Sequence, residues 1–143
     1  MKKFIFFLSF FLSAYAKAQS PLVKQWDYRF GGELYDYLNS FQQTNDGGYI
    51  LGGYSSSGIS GDKTQPSWGN LDFWVVKIDA LGIKQWDKRF GAAGIDYLNA
   101  LEQTADGGYI LGGNSDSGVG GDKTQPSRGA VDYWIIKTDS LGN

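Results

Sequence analysis

The chain has 143 residues, with 13 Lys+Arg against 15 Asp+Glu, 21 Gly, 3 Pro, and neither Cys nor His. Without those two residue types there is no thiol nucleophile, imidazole base, disulfide, Cys/His zinc site or histidine-dependent serine triad. Any catalysis would fall to carboxylates, lysine or tyrosine, and the length allows one ordinary domain at most.

Residues 1–18 are predicted to be a signal peptide. Lys2 and Lys3 precede the apolar run Phe4 to Tyr15, and Ala16-Lys17-Ala18 follows as a cleavage site. A membrane anchor would need about 20 apolar residues, more than the run contains. Cleavage removes three lysines and leaves 10 basic against 15 acidic residues, a net charge of −5. An acidic exported chain is a poor partner for nucleic acid, which calls for a basic footprint. Residues 19–23 form a short lead-in.

The remainder is one unit written twice. Residues 24–83 align with residues 84–143 without a gap and share 38 of 60 positions. A fixed period marks a repeat architecture, in which each unit buries its apolar face against a neighbour. In chain order, Lys24–Phe30 alternates apolar and polar residues, as a half-buried strand does. Asn39–Thr44 and Tyr49–Tyr54 form a hairpin around Asn45-Asp46-Gly47-Gly48. Gly52-Gly53 inside that second strand marks a close backbone approach or a bulge. The stretch from Ser55 to Leu71 is rich in Gly, Ser, Asp and Pro and reads as a long loop. Phe73–Ile78 is a β-branched and aromatic strand, and Asp79-Ala80-Leu81-Gly82 turns the chain. Lys84–Phe90 then reads as an edge strand, with Trp86 and Phe90 on one side and Asp87 and Arg89 on the other. The second copy repeats the pattern through the loop 115–131 and the strand Tyr133–Thr138.

Four antiparallel strands per repeat predict an all-β chain of tandem four-stranded blades of a β-propeller. Known rings use about 4–8 blades, so two 60-residue repeats are expected to form an incomplete ring. Either further repeats or a homo-oligomer would close it.

The motifs Trp-Asp-x-x-Phe-Gly, Asp-Gly-Gly-Tyr-Ile-Leu-Gly-Gly and Asp-Tyr-Trp-Ile-Ile-Lys resemble those of repeat proteins exported by Bacteroidetes as type IX secretion substrates. The likeness runs over residues 24–143 and implies propeller-like blades, without implying an activity. Such proteins commonly end in a sorting domain. This chain stops after a turn at Leu141-Gly142-Asn143, so the expectation is the N-terminal part of a longer protein. A fainter similarity to quinoprotein blades ends at Asp79-Ala80-Leu81-Gly82, which lacks their Thr-Gly, and no cofactor is expected.

The duplication separates candidate residues from repeat mechanics. Twelve of 13 Asp fall in equivalent pairs, and most of these lie beside turn residues. Glu33, Glu102 and Asp116 have no acidic counterpart. Glu33 and Glu102 come from different copies, and nothing in the sequence joins them as a glycosidase pair. Asn114, Asp116 and Asp122 are oxygen ligands without a calcium-loop order, so no metal or catalytic residue is assigned. Trp68 stands opposite Arg128, Tyr54 opposite Asn114 and Asn70 opposite Ala130. Trp, Tyr and Arg anchor interfaces and stack on rings. Trp68, Arg128, Tyr54, Asn114 and Asn70 are therefore the candidate ligand-binding residues, for a glycan or protein held by loops 55–71 and 115–131. The function this supports is an exported or cell-surface binding or adhesion module without catalysis. The alternatives are a carboxylate-based, endoglucanase-like glycoside hydrolase fragment and a two-blade lectin that assembles into a ring.

Overall fold

The computed structural model describes residues 21–143, and the signal peptide expected over residues 1–18 lies outside them. Seven strands form two antiparallel sheets. The strands are β1 (Asp36–Gln43), β2 (Tyr49–Ser55), β3 (Asp72–Ile78), β4 (Lys84–Phe90), β5 (Asp96–Gln103), β6 (Tyr109–Ser115) and β7 (Asp132–Thr138). The first sheet runs β1-β2-β3-β4 and the second β5-β6-β7. Both are open, and the described residues form no ring.

The fourth strand of the first sheet is β4, which belongs to the second sequence copy. The first sheet therefore crosses the join between the copies, and the second has three strands, all from the second copy. Lys24–Phe30, expected as a strand, is extended chain outside any ladder. Its counterpart β4 pairs with β3 from Phe73↔Phe90 to Ile78↔Lys84, whereas no described strand lies beside Lys24–Phe30 in that way. Backbone in this conformation becomes strand only where a neighbour satisfies its donors and acceptors.

The turns follow the residues that build them. Gly47 has φ 83°, the Gly48 amide donates to Asp46 Oδ1 at 3.0 Å, and Lys77 Nζ meets Asp46 Oδ2 at 2.8 Å. Those contacts hold the Asp46 carboxyl well below the usual carboxylate range, at about 2, with the Lys77 bond the largest cause. Asp79 Oδ1 accepts the amides of Leu81 and Ile83, both at 2.9 Å, around Gly82 at φ 83°.

The core lies between the sheets. Ile50, Phe73 and Val75 of the first sheet meet Leu98, Leu101, Tyr109 and Leu111 of the second. Phe73 packs on Trp134 with ring centroids 5.0 Å apart, and Trp86 meets Tyr109 edge-on at 5.9 Å. The opposite face of the first sheet carries Trp74, Val76 and Ile78, with Phe30, Tyr49 and Leu51 packed against them. Tyr109, Leu111, Trp134 and Ile136 occupy the positions of Tyr49, Leu51, Trp74 and Val76, one period on. The sheets thus stack in one sense, the back of the first against the front of the second.

Gly52 and Gly53 serve this stacking as the sequence suggested. A Cβ on Gly52 would run into Leu98 and Leu101, and one on Gly53 into the Tyr37 carbonyl. The ladder also shifts register between Leu38 and Ser40, opposite the pair, so close approach and bulge occur together.

Candidate functional site

The long loop 55–71, expected as a binding segment, is first a clasp on the edge strand. Asp87 of β4 accepts the Thr64 amide at 2.9 Å, the Thr64 hydroxyl at 2.9 Å, the Trp74 indole N–H at 3.1 Å and Lys84 Nζ at 3.0 Å. The Arg89 amide donates to Gln65 Oε1 at 2.7 Å. Burial pushes the Asp87 carboxyl up, but these donors outweigh it and leave it below the usual carboxylate value. Lys63 is buried, and its ammonium donates to the Gln65 carbonyl at 2.6 Å. Burial pushes Lys63 below the usual lysine value, against the opposing pull of Asp72. The polar face of β4 carries Asp87 and Arg89, opposite Trp86 and Phe90. It is buried because Gly61–Ser67 lies across it, which gives the recurring Gly-Asp-Lys-Thr-Gln-Pro-Ser motif its purpose.

The structure disperses the five candidate residues. Trp68 is half exposed and lies over the Arg89 guanidinium, 4.7 Å from carbon to ring centroid, so one face of its indole is occupied. Arg89 also meets Asp122 of the second loop at 3.4 Å. Arg128 is exposed, with its amide donating to Asp132 Oδ2 at 2.8 Å. Asn70 is exposed, and its amide donates to the Gly94 carbonyl at 3.0 Å. Asn114 is half-buried at the end of β6, paired with Tyr133. Only Tyr54 belongs to a cluster of side chains suited to a ligand.

That cluster lies at one end of the seam between the sheets. Tyr37 of β1 and Tyr54 of β2 are register partners and stack at 4.8 Å with 29° between their planes. Tyr97 of β5, from the second sheet, meets Tyr54 edge-on at 4.6 Å. Tyr35 continues the row, stacked on Tyr37 at 6.3 Å. Tyr35 and Tyr37 are exposed, while Tyr54 and Tyr97 are half-buried. Burial, with Tyr37 and Tyr97 adding to it, pushes the Tyr54 hydroxyl above its ordinary value, so it remains a neutral hydrogen-bonding group. Hydrogen bonds between the Ser56 amide and the Tyr35 carbonyl, and between the Tyr35 amide and Ser56 Oγ, hold the row's outer end at 3.0 and 3.1 Å. The result is a row of four rings whose outer members, Tyr35 and Tyr37, are exposed to solvent.

Sequence reasoning passed over Tyr35, Tyr37 and Tyr97. Tyr37 and Tyr97 occur in both copies, and a residue present in both most simply serves the repeat, while Tyr35 stands opposite Ile95. The available signal was the spacing Tyr35-x-Tyr37, which places two aromatics on one side of an extended chain.

An apolar cleft of about 450 Å³ lies elsewhere, on the outer face of the first sheet. It runs between Trp26 and Phe30 on one side and Leu38, Phe41, Leu51 and Trp74 on the other. One period on, Leu98, Leu101, Leu111 and Trp134 are packed against a sheet, so this lining is that of a sheet-to-sheet interface. Glu33 and Glu102 lie at opposite ends of the inner strands. Gln42, the counterpart of Glu102, is beside Gln103, whose amide donates to it at 2.7 Å. Glu33 precedes β1, and the strand between amounts to roughly 20 Å. A glycosidase pair needs about 5–10 Å, so these two carboxylates do not form one. Among the described residues no group of three or more acidic side chains could hold a metal ion. Nor is any helix among them long and apolar enough to cross a membrane. No family model matches the chain, and a search of curated proteins finds no relative.

Proposed function

We propose that this chain is an exported, non-catalytic binding module that takes a glycan on the Tyr35–Tyr37–Tyr54–Tyr97 ladder. The observation carrying the reading is the half-exposed row of rings bridging two sheets, with centroid spacings from 4.6 to 6.3 Å. Flat apolar faces flanked by phenolic hydroxyls suit pyranose rings, which present C–H faces and hydroxyl edges. Both sheets contribute, so the packing of the core fixes the ring spacing and little ordering is needed on binding. Export is supported by the basic, apolar and Ala-x-Ala segments of residues 1–18. The blades of an incomplete propeller, the kinship with type IX substrates and a surface or extracellular location belong to the same proposal.

A glycan array, followed by calorimetric titration of the best binder, tests it. Tyr37→Ala and Tyr35→Ala should each weaken binding about tenfold, equivalent to roughly 1.4 kcal/mol. Trp68→Ala and Arg128→Ala should leave affinity within about twofold, since neither side chain joins the ladder. Unchanged affinity in both tyrosine variants would sink the ladder as the binding site. Loss of binding in Trp68→Ala or Arg128→Ala would restore the loops instead.

A further inference from the structure

We infer that the second sheet accepts a second copy of this chain, head to tail, with the partner's Lys24–Phe30 as its fourth strand. The argument begins with an unequal pair of surfaces. Ile50, Phe73 and Val75 are 0, 0 and 2% exposed beneath the second sheet, whereas Ile110, Tyr133 and Ile135, one period on, are 39, 90 and 60% exposed. The surface that covers the first trio is built from Leu98, Leu101, Tyr109 and Leu111, and the same surface recurs as Leu38, Phe41, Tyr49 and Leu51 on the outer face of the first sheet. Each chain therefore presents, unfilled, both halves of an interface it already makes once internally.

The clasp gives an independent indication. Thr64, Gln65 and the Trp74 indole are engaged by Asp87 and Arg89 of β4. Their counterparts Thr124, Gln125 and the Trp134 indole make no such bond with a described residue, and Gln125 is exposed where Gln65 is half-buried. Lys24-Gln25-Trp26-Asp27 repeats the residues of Lys84-Gln85-Trp86-Asp87, and Asp27 now has only a solvent-exposed pair with Lys24 at 3.1 Å. Carried over from β3–β4, the register sets Tyr133 against Phe30, Ile135 against Tyr28 and Lys137 against Trp26. Asp27 then lies within reach of Thr124 and Trp134. Such an interface is heterologous, joining two different patches, so copies add in one direction until a ring closes. Arg128 replaces the Trp68 that stacks on Arg89, so this seam is weaker than the internal one.

The chain has no cysteine, so engineered pairs report the register directly. Tyr28→Cys protein mixed with Ile135→Cys protein should form a disulfide-linked dimer under mild oxidation. Arg29→Cys, on the opposite side of the strand, should not form one with Ile135→Cys. Light scattering and sedimentation should show mass rising with concentration. Ile135→Glu and Asp27→Ala should weaken association at least tenfold while leaving the urea midpoint unchanged. Arg128→Trp should strengthen it several-fold. A protein that stays monomeric at roughly millimolar concentration, or an association insensitive to Ile135→Glu, overturns a second copy as the occupant. Equal disulfide yield from the Arg29→Cys pair overturns the register.

Discussion

Asp87 and Asp27 are the same residue of one motif, placed in very different surroundings. Asp87 is buried among four donors from Thr64, Trp74 and Lys84, so Asp87→Ala leaves the indole N–H and the Thr64 amide and hydroxyl without their acceptor, while Lys84 keeps the Asp62 carbonyl. It should cost about 3–5 kcal/mol in urea unfolding, the range for breaking a buried charged contact. Asp27 has an exposed partner only, and Asp27→Ala should change monomer stability by less than about 0.5 kcal/mol. Asp46 gives the pH dependence. Its folded pKa is depressed to about 2, from 3.8, so its contribution is complete above about pH 4 and disappears as the pH falls through 2. Asp106, in the equivalent turn, is lowered for the same reasons, led by Thr104 and then Lys137. Urea midpoints should therefore fall between about pH 4 and pH 2, and the decline should be shallower in Asp46→Asn.

The strands were legible because β-branched and aromatic residues alternate or cluster at strand length between turn residues. The hairpin at Asp46-Gly47 and the edge position of β4 follow from the same pattern. What the repeat left open was its phase. Two near-identical copies show a period of sixty, but any starting point gives the same alignment, so the pairing of β4 with the first copy's strands is visible only in the ladder. The covering of Asp87 and Arg89 was hidden for a related reason, since the loop that covers them is distant in sequence and polar. Of the ladder, Tyr54 was found because it differs from Asn114. Tyr37 and Tyr97 were lost because recurrence was taken to mean structure alone. The glycines carry the element-level prediction. Gly52→Ala should destabilise by at least about 2 kcal/mol, because its Cβ meets Leu98 and Leu101 across a packed seam. Gly112→Ala should be tolerated within about 0.5 kcal/mol, since only the far end of Ile135 lies near it, at 3.3 Å. Equal costs in denaturant titrations would show that the two seams are equally filled in solution.

The molecule as a whole has a direction. One end presents the Trp74 and Leu51 face under the Trp26–Phe30 segment, the other the bare Ile110, Tyr133 and Ile135 face beside β7. The tyrosine ladder lies across the internal seam between them, so the site depends on two sheets remaining apposed.

The first sheet's crossing of the join between copies has a consequence in heredity. An insertion of sixty codons at the join would repeat the β3–β4 ladder with matching residues, whereas an insertion of another length would not.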